Sequence, residues 1–130
     1  MPSMLLQFLV VAAGGAIGAS GRHAVGILAM RMMGGGFPYG TLIVNVVGSF
    51  AMGVLIEALA LKFSAPQEVR LFLATGLLGG FTTFSAFSLD AVSLWERGSQ
   101  GAAALYVVIS VVASLAALFA GLALVRSIFS

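Results

Sequence analysis

The residues of this chain best suited to chemistry lie together at positions 79–88, Gly-Gly-Phe-Thr-Thr-Phe-Ser-Ala-Phe-Ser. They carry the hydroxyls of Thr82, Thr83, Ser85 and Ser88 inside an apolar run bounded by Arg70 and Asp90. Covalent catalysis is a poor fit. A hydroxyl nucleophile needs a neighbouring base, and the chain has no cysteine and a single histidine, while Glu57, Glu68 and Asp90 fall toward the ends of the apolar runs. Handling an ion fits better. Phe84 and Phe87 are three residues apart and share one helical face. The edge of a phenyl ring is electropositive, so a pair of edges stabilises a small anion without trapping it as a full positive charge would.

Polar residues recur at helical spacing in two other apolar runs. Thr41, Asn45, Gly48 and Ser49 stand at i, i+4, i+7 and i+8, which is one face. An asparagine in the middle of an apolar run needs a hydrogen-bond partner. It either joins helices, worth about 0.6 kcal/mol on average in a membrane, or lines a polar path, and its small polar companions favour the path. Tyr106, Ser110 and Ser114 recur at i, i+4 and i+8. A single serine satisfies itself on the preceding turn, but three aligned hydroxyls read as a polar track. Arg22 and His23 interrupt the first run well before Arg31. Arg22 has two readings: a side chain reaching out to the headgroups, or one facing a water-filled vestibule and attracting anions. His23 reads as interfacial, since no second histidine exists to share a metal.

The elements that must carry these residues follow from composition. The 130 residues are 61% hydrophobic and only 8% charged, with a mean hydropathy of +1.15. Soluble domains carry about 25% charged residues. The chain therefore reads as an all-α integral membrane protein in contact with the lipid bilayer, and nothing suggests nucleic-acid binding. At about 20 residues per span, the length accommodates four transmembrane helices in a single domain, over residues about 4–30, 38–61, 67–96 and 102–125. The opening residues 1–21 lack a basic segment before their apolar run, so cleavage as a signal peptide is not expected. Gly34-Gly35-Gly36-Phe37-Pro38 ends the first helix, and Pro38 suits the first turn of the next. Gly14 and Gly18 have the small-xxx-small spacing of closely packed helices. The third span contains Gly76, Gly79 and Gly80, and glycine costs about 1 kcal/mol relative to alanine in a helix interior. Two outcomes are open there. The helix unwinds over residues 79–83, which membrane depth allows only where protein, water or an ion satisfies the backbone, or it stays straight with its glycines packed on a neighbour. The composition favours the first.

The basic residues barely orient the chain. Lys62, Arg70 and Arg126 fall on the side of the termini, and Arg31 and Arg97, with Arg22 if it reaches outward, fall on the other. The positive-inside rule has little to act on. The expectation is a chain that inserts both ways round, with two copies pairing antiparallel about a two-fold axis in the membrane plane.

Three ordered segments resemble the Fluc (CrcB) fluoride channels: Gly14-Gly15-Ala-Ile-Gly18-Ala-Ser-Gly-Arg22, Gly40-Thr41-Leu-Ile-Val-Asn45-Val-Val-Gly48-Ser49-Phe50, and Gly76-Leu-Leu-Gly79-Gly80-Phe81-Thr82-Thr83-Phe84-Ser85. The resemblance covers essentially the whole chain. It implies a third helix broken near its centre, an antiparallel dual-topology homodimer, two fluoride pores each lined by both subunits, and passive export of fluoride across a bacterial inner (plasma) membrane. It also implies a structural Na+ held at the dimer centre by the backbone carbonyls of Gly79 and Thr82. Phe84 and Phe87 would face the permeating ion together with Thr41, Thr83 and the pore asparagine, Asn45. Tyr106, Ser110 and Ser114 would form the polar track, and Arg22 the vestibule. Ala86 departs from the threonine or serine of many relatives. The rival readings are a small dual-topology multidrug or cation exporter and a non-transporting membrane assembly protein. The exporter needs an ionisable carboxylate deep in its first helix, and this first span has none.

Overall fold

The computed structural model describes residues 3–129 and is all-helical there. Four stretches, Met4–Met33, Tyr39–Leu61, Gln67–Glu96 and Gln100–Phe129, are long and apolar enough to cross a membrane. The first is α1 and the second α2. The third comprises α3 (residues 67–81) and α4 (Phe84–Glu96), and the fourth is α5.

Backbone caps set the ends of α1. Ser3 accepts the Leu6 N–H at 2.9 Å, and Gly34 turns left-handed (φ 77°) with its N–H on Met30 O, a conformation that glycine adopts without penalty. The helix thus continues past Arg31 to Met33. The fourth helix likewise runs from Gln100 to Phe129, past both expected ends. Arg126 does not stop it, because its guanidinium pairs with Glu57 on α2. Charge marks where a helix leaves lipid, whereas a cap marks where it stops.

The third span is irregular in two places. Leu71–Leu78 is wound as a π-helix, a form that is rare in proteins. Helical dihedrals continue through Gly79 (φ −63°, ψ −36°) to Phe81, after which Thr82 (φ −87°, ψ 158°) and Thr83 (φ −155°, ψ 122°) are extended. Thr83 then caps α4 through its hydroxyl, which accepts the Ala86 N–H at 3.1 Å. The glycines of α3 also pack. A Cβ on Gly76 would stand 2.9 Å from Val11 O, and one on Gly80 would stand 2.8 Å from Gly15 O.

Lipid tails are as apolar as leucine, so helices associate in a membrane by close packing. On α1, a Cβ on Gly18 would overlap Leu77 O, and where α2 crosses α5, one on Gly121 would overlap Phe50 O. Neither oxygen belongs to a side chain that can swing away. Gly18→Ala and Gly121→Ala are therefore expected each to cost about 1–3 kcal/mol, read as a lower unfolding midpoint in detergent. Gly101→Ala, with nothing within 4 Å of the new methyl, leaves the midpoint unchanged or raises it.

Candidate ion path

Two extended residues inside a membrane span leave the last carbonyls of α3 and the first amides of α4 without helical partners. Side chains take up several of these groups. Asn45, from the middle of α2, engages Thr83 twice: its Oδ1 accepts the Thr83 N–H at 2.8 Å, and its Nδ2 donates to Thr83 O at 3.0 Å. Arg22 Nε donates to Gly80 O at 3.1 Å. The guanidinium thus lies at the C-terminal end of α3, where the helix dipole favours a cation.

Other carbonyls are left over. In a continuing α-helix the Thr83 N–H would reach Gly79 O and the Ala86 N–H would reach Thr82 O. The first donates to Asn45 instead and the second to Thr83 Oγ1. The carbonyls of Gly79, Phe81 and Thr82 therefore have no hydrogen-bond donor among the described residues. No cluster of His, Cys, Asp or Glu that could hold a metal occurs among those residues. The oxygens left free at the break are neutral backbone carbonyls, a ligand type that suits a hard ion.

Beside the extended pair lies a cavity of about 320 Å³. Asn45 and Ser49 of α2 form one wall, Ser110 and Ser114 of α5 another, and Thr83, Phe84 and Phe87 a third. The rings of Phe84 and Phe87 lie 5.5 Å apart, tilted by 49°. Phe84 is 77% exposed on the isolated chain. Phe87 also meets the ring of Tyr106 at 5.3 Å. Tyr106 is fully buried, and its hydroxyl donates to Asp90 Oδ2 at 3.3 Å. The hydroxyls of Thr41 and Ser110 approach that of Tyr106, but Ser110 Oγ lacks hydrogen-bond geometry and is buried with no partner. A stranded hydroxyl costs about 1–3 kcal/mol unless something entering the cavity accepts its proton.

Of the residues singled out in the sequence, Asn45, Thr83, Phe84, Phe87, Ser110 and Ser114 surround this one cavity, with Thr82 at its edge. Thr41 and Tyr106 adjoin it without lining it, and Gly79 lies outside it. Arg22, His23, Arg31, Thr41 and Thr83 border a second cavity of about 500 Å³, so Thr83 lines both. Asp90 was not anticipated; its signal is its position three residues after Phe87, on the same face. Ser49, placed by the sequence on the same polar face of α2 as Asn45, lines the cavity as well. Nothing in the sequence pattern announces the bond from Arg22 to Gly80.

The family model described as CrcB-like protein, Camphor Resistance (CrcB), matches residues 9–122. A protein of Agrobacterium fabrum strain C58 is 57% identical over 125 residues, which is 96% of this chain and 100% of that protein. One from Chelativorans sp. strain BNC1 is 60% identical over 124 residues, 95% of this chain and 99% of that protein. A third, from Cereibacter sphaeroides, is 59% identical over 123 residues, 95% of this chain and 97% of that protein. All three are named fluoride-specific ion channel FluC. Matched by the family model over most of its length and by channels rather than enzymes, this multi-pass membrane chain belongs to the CrcB family.

Proposed function

We propose that the chain forms a fluoride channel of the bacterial inner membrane, a single transmembrane domain that works as an antiparallel homodimer with two pores. The names of its relatives support fluoride as the ion. The observation that carries the reading is the cavity in which two phenyl rings and the unpartnered Ser110 hydroxyl converge without any formal charge among its lining residues. Hydroxyls and ring edges offer positive ends of dipoles to an anion. None binds tightly enough to hold it, which permeation requires. The ion trades its water shell for these donors, so no covalent step or coupled ion is needed and fluoride runs down its own gradient.

The same reading accounts for the exposed Phe84 ring and the free carbonyls. A second copy, inverted, would cover Phe84 and complete each pore. Gly79 and Thr82 would supply carbonyls from both copies to one Na+ on the two-fold axis, giving oxygen ligands to a hard cation and partners to backbone groups that membrane depth otherwise leaves costly.

Purified protein reconstituted in liposomes loaded with fluoride should release it to a fluoride electrode once a potassium ionophore clamps the voltage. Release without any added proton or cation gradient supports the channel. Release only against an imposed proton gradient would make it an exchanger, and no release would make it a non-transporting protein.

A further inference from the structure

Asn45 is the polar residue most expected to hand a proton to the ion, yet one of its amide hydrogens and its oxygen are both engaged by the backbone of Thr83. The α2 wall of the cavity has another hydroxyl, one turn further on. We propose that Ser49 is a specificity-determining residue of the path, its hydroxyl donating directly to the permeating anion. The inference rests on the channel reading above and adds a residue that the family resemblance does not assign.

Some hydroxyls of this chain satisfy themselves on the preceding turn. Thr82 donates to Leu78 O at 2.9 Å, Ser88 to Phe84 O at 3.0 Å, and Ser127 to Leu124 O at 2.8 Å. That habit is general for helical serine and threonine. The serines of the cavity do not follow it, nor do Ser20, Thr75 and Ser93 elsewhere, but only Ser49, Ser110 and Ser114 share one cavity. Ser110 is 5% exposed and its Oγ has no partner. Ser49 and Ser114 line the same space, and neither makes a side-chain hydrogen bond among the described residues. Three hydroxyls that have given up the available carbonyl of the preceding turn, and that share one cavity, form a set of donors without an acceptor.

Their placement favours a small anion. Ser49 sits on α2, and Ser110 and Ser114 sit on the facing α5. One turn beyond Ser49, Gly53 packs so tightly on α5 that a Cβ there would overlap Leu118 O. That close crossing holds the two hydroxyl-bearing helices against each other. Donors from two facing helices suit an ion that accepts short O–H hydrogen bonds.

The test is fluoride efflux from liposomes at a series of fluoride concentrations, for the parent, Ser49→Ala and Ser49→Thr, with the unfolding midpoint of each. Loss of one charge-assisted hydrogen bond predicts about a tenfold fall in flux for Ser49→Ala. The half-saturating fluoride concentration should rise, the unfolding midpoint should not move, and Ser49→Thr should recover most of the flux because it keeps the hydroxyl. Parent-like flux and half-saturation in Ser49→Ala would overturn the proposal. So would equal losses in Ser49→Ala and Ser49→Thr, or a lowered midpoint with unchanged half-saturation, since each assigns Ser49 to packing. If the parent releases fluoride while Ser49→Ala behaves as the parent, only this inference fails. A parent that releases none removes the channel reading with it.

Discussion

Asn45→Asp should cut fluoride efflux at least a hundredfold, and it should do so through two effects that can be separated. The first is geometric. The new carboxylate still accepts the Thr83 N–H, which Asn45 Oδ1 now does at 2.8 Å, but nothing replaces the Nδ2 donor that reaches Thr83 O at 3.0 Å. An anionic oxygen then faces a carbonyl oxygen, and the extended pair at Thr82–Thr83 loses its hold on α2. The second is electrostatic. Asn45 borders the cavity shared by Phe84, Phe87 and Ser110. A fixed negative charge about 4 Å from an anion costs about 4 kcal/mol at an effective dielectric of 20. That exceeds the roughly 2.7 kcal/mol that a hundredfold slowing requires. Asn45→Ala separates the two. It strands the Thr83 N–H, which costs about 1–3 kcal/mol of stability, but adds no charge. It should lower the unfolding midpoint and retain more flux than Asn45→Asp. Full conduction by Asn45→Asp would show that anions do not pass this face of α2.

The polar face of α2 and the hydroxyl track of α5 were legible in the sequence because helical periodicity places i, i+4 and i+8 on one side whatever the tertiary structure. Composition was equally decisive for the spans: helices of 23 to 30 residues, each with an 18-residue core of mean hydropathy between 1.4 and 2.6, are long and apolar enough to cross a membrane. Periodicity says which face is polar, not what meets it. Asn45 could be assigned to a path or to a helix contact; it borders the cavity and also bonds Thr83, 38 residues away. One bond of Arg22 was hidden in the same way: its Nε spans 58 residues to Gly80 O, while the side chain also borders the second cavity. Glycines misled less than charges. Gly76 and Gly80 do pack on α1, and the extended residues follow them rather than include them, because a glycine wedged against a neighbouring backbone is held helical by that contact. The π-winding of Leu71–Leu78 had no counterpart in residue types at all, since every residue in it is an ordinary helix constituent.

Phe87→Ile should reduce fluoride flux about two- to tenfold, and Phe84→Ile by a similar factor. Shape and charge both enter. Isoleucine keeps apolar bulk but has no electropositive edge, so it removes about 0.5–1.5 kcal/mol of ring-edge stabilisation per site, and about 1.4 kcal/mol corresponds to tenfold in rate. The sites differ in what else they lose. The Phe87 ring packs between that of Phe84 at 5.5 Å and that of Tyr106 at 5.3 Å, and Tyr106 is anchored by its hydroxyl on Asp90. Shortening Phe87 loosens this stack, so Phe87→Ile should also lower the unfolding midpoint. Phe84 is 77% exposed on the single chain and carries no such internal duty. Phe84→Ile should therefore leave the fold intact, as judged by an unchanged elution volume and midpoint, and still lose flux. That pairing makes Phe84 the cleaner probe. If Phe84→Ile liposomes empty at the parent's rate, the Phe84 edge takes no part in holding the ion.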